Sequence, residues 1–89
     1  MKNIAIITGA SSGIGKEFLL NMPKNIEVDE IWAIAREKNL LENLKVETKL
    51  NIRTFSIDLE KKTSLMKIKD LLEEEKPNIK LLINAAGFG

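Results

Sequence analysis

The chain has 89 residues, 44% of them hydrophobic and 30% charged, and a formal net charge of +1. That balance describes one ordinary globular unit and argues against a disordered chain, a nucleic-acid binder or a polybasic membrane segment. Cysteine and histidine are absent, which excludes disulfides, thiolate chemistry and most metal sites; with no stretch apolar enough for a bilayer span or signal h-region, a cytoplasmic protein is expected.

Ile4 to Ile7 is a continuous apolar run followed closely by glycine, which predicts a short strand buried on both faces. Ile14, Phe18, Leu19 and Met22 then fall on one helical face, and Pro23 stops that run. A second strand is expected over Glu30–Ala35, with Trp32 and Ile34 on one side and Ile31 and Ala33 on the other. The spacing of Leu40, Leu41 and Leu44 predicts a helix between Glu37 and Val46, and Ile52–Ile57 reads as a third strand of imperfect alternation. Thr63 or Ser64 is the expected cap of a third helix, whose apolar face is Leu65, Ile68, Leu71 and Leu72. The cluster Glu73-Glu74-Glu75-Lys76 reads as the solvated end of that helix. Pro77-Asn78 breaks it, and Ile79–Ile83 gives a fourth strand ending in Asn84-Ala85-Ala86-Gly87. Strand–helix alternation of this kind implies an α/β fold with parallel strands, joined by right-handed crossovers that place helices on both faces of the sheet.

Three of the five glycines lie in Ile7-Thr-Gly-Ala-Ser-Ser-Gly-Ile-Gly15. A glycine-rich loop between a strand and a helix presents unpaired backbone N–H groups, reinforced by the positive end of the helix dipole, and so suits a phosphate. Ser11 and Ser12 add hydroxyl donors, unless Ser12 serves as the helix cap. The competing reading is a tight turn whose glycines answer to geometry alone. The spacing Gly9-x-x-x-Gly13-x-Gly15 matches neither the common G-x-G-x-x-G fingerprint nor a P-loop, since Glu17 follows Lys16 where a serine or threonine is required.

Thr8-Gly9-Ala10-Ser11-Ser12-Gly13-Ile14-Gly15 resembles the TGxxxGxG loop of the short-chain dehydrogenases/reductases, and three further features keep register with it. Arg36 follows the second strand where an NAD-binding protein carries an acid for the ribose 2′-hydroxyl; an arginine there pairs with the 2′-phosphate of NADP, although Glu37 beside it opposes an anion. Asp58-Leu59 stands where similar proteins contact the adenine, with a solvated aspartate capping the third helix as the alternative. Asn84-Ala85-Ala86-Gly87 resembles the NNAG turn, with Ala85 replacing its second asparagine. The resemblance implies a partial Rossmann fold of strand order 3-2-1-4 over residues 1–89. It also implies an NADP(H) site, favoured over NAD(H), built from Thr8, Gly9, Ser11, Ser12, Gly13, Ile14, Gly15, Arg36, Asp58, Leu59, Asn84, Ala85 and Gly87.

The same resemblance implies an oxidoreductase that moves hydride between the nicotinamide and a carbonyl or alcohol carbon. Members of the family carry their catalytic serine, the YxxxK pair and a helix-borne asparagine beyond the NNAG-type turn. This sequence contains no tyrosine, so no catalytic residue is assigned, no metal site is expected, and the 89-residue chain by itself is expected to be inactive. The second reading is a short non-catalytic dinucleotide-binding or protein-assembly module. Under either reading the apolar fourth strand is an open edge that invites self-association. Flavodoxin-like and receiver folds share the alternation but not the glycine spacing.

Overall fold

The computed structural model describes residues 1–10, 13–22, 27–48, 50–58 and 60–85, with the backbone alone at 13 and 14. Seven elements alternate along the chain: β1 (Asn3–Thr8), α1 (Gly13–Leu20), β2 (Glu30–Ala35), α2 (Lys38–Thr48), β3 (Ile52–Ser56), α3 (Lys62–Glu75) and β4 (Asn78–Asn84). The four strands are all parallel and lie in the order β3-β2-β1-β4. The chain runs outward from β1 to β3 and then crosses back over the sheet to β4. Right-handed crossovers therefore place α1 and α2 on one face and α3 on the other.

The two central strands alternate between the two faces as their sequences require. Ala5, Ile7, Ile31, Ala33 and Ala35 pack with Leu19, Leu41 and Leu44 of α1 and α2. Ile4, Ile6, Trp32 and Ile34 form the opposite layer, against which Ile68, Leu71 and Leu72 of α3 pack. Trp32 is fully buried and donates its indole N–H to Glu30 Oε1 at 2.7 Å. Leu65, placed on the apolar face of the third helix, is 50% exposed, and Leu40, whose spacing helped to predict the second, is 38% exposed.

The third helix begins at Lys62, ahead of the expected cap. Lys61 occupies the cap position with extended backbone and no side-chain cap bond, so Thr63 and Ser64 lie inside the first turn. The turn before the helix is organised by Asp58, whose carboxylate accepts the Glu60 N–H at 3.0 Å and whose carbonyl accepts the Lys61 N–H at 3.1 Å. At its other end α3 stops on Lys76, held in the left-handed region at φ 47° and ψ 52°, with Pro77 following.

Glu75 is more than part of a solvated helix end. Both its oxygens lie 2.8 Å from Arg53 Nη1, and the same guanidinium stands 5.2 Å from the ring centroids of Trp32 and Phe55. This cluster clamps the end of α3 to the start of β3 by charge and by cation–π attraction. The hydrogen bond and charge of Arg53 hold the Glu75 carboxyl below its usual pKa, and Glu75 raises that of Arg53.

β4 pairs with β1 along one side only. Its register slips between Ile4 and Ala5, so that Ile79 and Leu82 share the α3 face while Leu81 and Ile83 pack with the α1/α2 layer. Leu82 is 61% exposed and Ile79 44%.

Candidate functional site

In a parallel sheet all strands end on the same edge, and here that edge collects the residues singled out from the sequence. Thr8 lies in register with Ile34 on one side and Asn84 on the other, and Ala35 lies opposite Ser56. The loops that leave these ends carry Gly9, Arg36, Asp58 and Ala85. The crossovers on the two sides of β1 lie on opposite faces, which makes its carboxyl end the usual place for a ligand in an open α/β sheet. Ser11, Ser12, Leu59 and Gly87 lie outside the described residues, as does the side chain of Ile14.

Thr8 and Asn84 tie the strand ends together. The Thr8 hydroxyl donates to Asn84 Oδ1 at 2.6 Å, and the Ala85 N–H donates to the Thr8 carbonyl at 3.1 Å. With its hydroxyl committed to Asn84, Thr8 shapes the loop rather than reaching out of it. Ala85 is 6% exposed, and its N–H is already engaged by that bond.

The glycine loop divides into parts with different tasks. Gly9 adopts φ 68°, which glycine enters without steric cost. Its N–H donates to the Ile34 carbonyl at 2.8 Å, with the Ala10 N–H at 3.5 Å from the same oxygen. Gly9 and Ala10 are therefore not among the unpaired N–H groups expected of the loop: their amides continue the β1–β2 ladder. Among the described residues, the start of α1 at Gly13 is where a helix has no intrahelical partners for its first N–H groups. Gly15 serves close packing. A Cβ there would stand 2.3 Å from the Gly9 carbonyl oxygen and 2.8 Å from its carbon. The loop can fold back onto the helix only because that side chain is missing.

Arg36 leaves the end of β2 in a bend and is exposed. Its side chain has no ion pair among the described residues. Its carbonyl accepts the Ser56 hydroxyl at 2.8 Å, and Ile57 N–H donates to the Ala35 carbonyl at 2.9 Å. Ser56 carries no motif and was not singled out from the sequence; only the register of β2 against β3 places it here. Asp58, half-buried, spends one carboxylate oxygen on the turn into α3.

A cavity of about 440 Å3 opens at the opposite edge of the sheet, between Leu19, Met22, Val28, Ile31 and Leu50. It holds none of the expected site residues. Its polar neighbours are already engaged: Asp29 accepts the Asn3 N–H, and Thr48 donates to the Leu44 carbonyl, each at 2.7 Å. No group of three potential metal ligands occurs among the described residues, and none of their helices is long and apolar enough to cross a membrane.

Residues 3–89 match the family model described as short chain dehydrogenase. A bovine short-chain dehydrogenase/reductase family 16C member 6 is 27% identical over 86 residues, covering 94% of this chain and 27% of that protein. Among solved structures, a short chain dehydrogenase from Bacillus anthracis is similar at 30% identity with a TM-score of 0.74, covering 94% of this chain and 34% of the other. A betaketoacyl-ACP reductase from Bacteroides thetaiotaomicron is similar at 28% identity with a TM-score of 0.79, covering 100% and 42%. The chain thus spans between about a quarter and two fifths of the length of these relatives.

Proposed function

The chain belongs to the short-chain dehydrogenase/reductase family, and we propose that residues 1–89 are the amino-terminal part of its dinucleotide-binding domain, with NADP(H) preferred to NAD(H). The observation that carries this reading is the convergence of the α1 N-terminus, Arg36, Asp58 and Asn84 on one edge of the sheet. The N–H groups at the start of α1 hold the pyrophosphate, with Ser11 and Ser12 contributing hydroxyls and Gly13 and Ile14 backbone donors. Gly9 and Gly15 give the loop its shape, and Thr8 and Asn84 brace it. Arg36 takes the 2′-phosphate through a charge-assisted fork. Asp58 and Leu59 face the adenine, and the turn from Ala85 to Gly87 brings backbone to the ribose.

The cofactor, when bound, supplies hydride. In the complete protein the reaction is hydride exchange between NADP(H) and a carbonyl or alcohol carbon, in keeping with a relative named as a betaketoacyl reductase. Residues 1–89 contain no tyrosine and so lack the family's proton donor; on its own this stretch binds and orients without turnover. Titration of the chain with NADPH and NADH tests the assignment. Gly13→Val is expected to abolish binding of both, because a branched side chain intrudes on the helix terminus. Arg36→Ala is expected to remove the preference, about 10- to 150-fold for a charged hydrogen-bonded contact. Equal affinities for the two cofactors in the unaltered chain refute the NADP assignment.

The exposed Ile79 and Leu82 favour a second reading for the isolated chain, in which the free edge of β4 pairs with another copy.

A further inference from the structure

We infer that Ser56 is a positioning residue for cofactor choice: its hydroxyl fixes the peptide that carries Arg36, and so sets the discrimination for a 2′-phosphorylated dinucleotide. This rests on the reading of Arg36 as the 2′-phosphate partner. The hydroxyl donates to the Arg36 carbonyl at 2.8 Å, across the last residues of β2 and β3. That carbonyl belongs to the peptide linking Arg36 to Glu37. One bond therefore orients a cation and the anion beside it, two side chains of opposite effect on a phosphate.

Among the described residues the Ser56 hydroxyl is the partner of the Arg36 carbonyl, between an Ala35 carbonyl held by Ile57 N–H and a Glu37 carbonyl held by Leu41 N–H at 3.2 Å. The guanidinium has no ion pair among the described residues. A long, exposed side chain forfeits rotamer freedom when it grips a ligand, and anchoring its backbone reduces what must be ordered on binding. Ser56 is itself exposed. If its hydroxyl is lost, water can serve the Arg36 carbonyl and the fold loses little, whereas the bend loses its fixed direction. The effect is thus expected in cofactor preference and not in folding.

The test is a set of NADPH and NADH titrations on the full chain and on Ser56→Ala, Ser56→Thr, Arg36→Ala and the Arg36→Ala/Ser56→Ala pair, each also melted thermally. Ser56→Ala is expected to lower the NADPH-over-NADH preference about three- to tenfold, the scale of one net hydrogen bond. Ser56→Thr keeps a hydroxyl and retains the preference. In the Arg36→Ala background, Ser56→Ala changes the preference no further, because the two residues act through one contact. If Arg36→Ala removes the preference while Ser56→Ala leaves it intact, the inference is wrong and the Arg36 assignment stands. A Ser56→Ala variant that weakens both cofactors equally and melts lower is structural, which also overturns it. If Arg36→Ala keeps the full preference, the Arg36 assignment fails and takes the inference with it.

Discussion

Replacing Gly15 with alanine sets two effects of opposite sign against each other. Within a helix, Gly→Ala ordinarily stabilises by about 1 kcal/mol. Here the added Cβ would lie 2.3 Å from the Gly9 carbonyl oxygen, 2.8 Å from its carbon and 3.1 Å from the Ala10 Cα. All three are backbone atoms, in a turn fastened to β2 by the Gly9–Ile34 bond, so no side chain can swing aside. Restoring an ordinary carbon–oxygen contact requires α1 to retreat by roughly 1 Å. Overpacking of that kind costs about 1–3 kcal/mol, and the rigidity of the neighbour puts this site at the upper end. The net expectation is a loss of about 1–2 kcal/mol, or a fall in Tm of roughly 4–16 °C for a domain of this size. Thermal melts followed by far-ultraviolet circular dichroism, with urea unfolding followed by the fluorescence of buried Trp32, measure it. A Tm unchanged or raised would show that helix propensity dominates and that the loop does not pack on α1 as described.

Three other outcomes follow from the structure. Because the folded-state pKa of Glu75 lies below the unfolded one, its pairing with Arg53 contributes fully above the ordinary value of 4.5 and is lost as pH falls through the lower folded value. Urea midpoints measured from neutral pH down to that acid range should drop less steeply in Glu75→Gln than in the unaltered chain. Lys76→Gly should raise the unfolding free energy read from urea titration by about 0.5–1 kcal/mol. It releases roughly 1–2 kcal/mol of left-handed strain, offset by about 0.5–1 kcal/mol of added unfolded-state entropy. Leu82→Lys should move sedimentation of concentrated chain toward the monomer with little change in Tm, since that side chain already lies largely in solvent.

The layout of the sheet was legible because its signals are local. The apolar runs at Ile4–Ile7 and Glu30–Ala35 carry two-sided burial in their own composition, and the division of Trp32 and Ile34 from Ile31 and Ala33 follows from strand period alone. The strand order came from the family resemblance carried by the glycine loop and the Asn84 turn, and the observed pairing agrees with it. What escaped was everything decided by a distant partner. Arg53 and Glu75 stand 22 residues apart and meet only because α3 ends over the start of β3. The amides of Gly9 and Ala10 looked free until β2 placed the Ile34 carbonyl beside them. Gly15 carried the same letter as the other loop glycines, and only the distance to Gly9 separates packing from ligand access. The start of α3 was misjudged because Thr63 and Ser64 are good caps in isolation, whereas the Asp58 turn upstream had already set the entry.

β1 is synthesised well before β4, yet it lies inside the sheet, and one of its flanks waits for a partner 75 positions later, with Asn3 opposite Asn78. Closing that separation is slow, and parallel pairing cannot begin as a hairpin. Until β4 has been made, the chain therefore carries a half-clothed hydrophobic ribbon, a stage at which chaperones and premature contacts compete for it. Substitutions that weaken β4 should consequently lower the yield of native protein during synthesis more than they lower the melting temperature of molecules that have already matured.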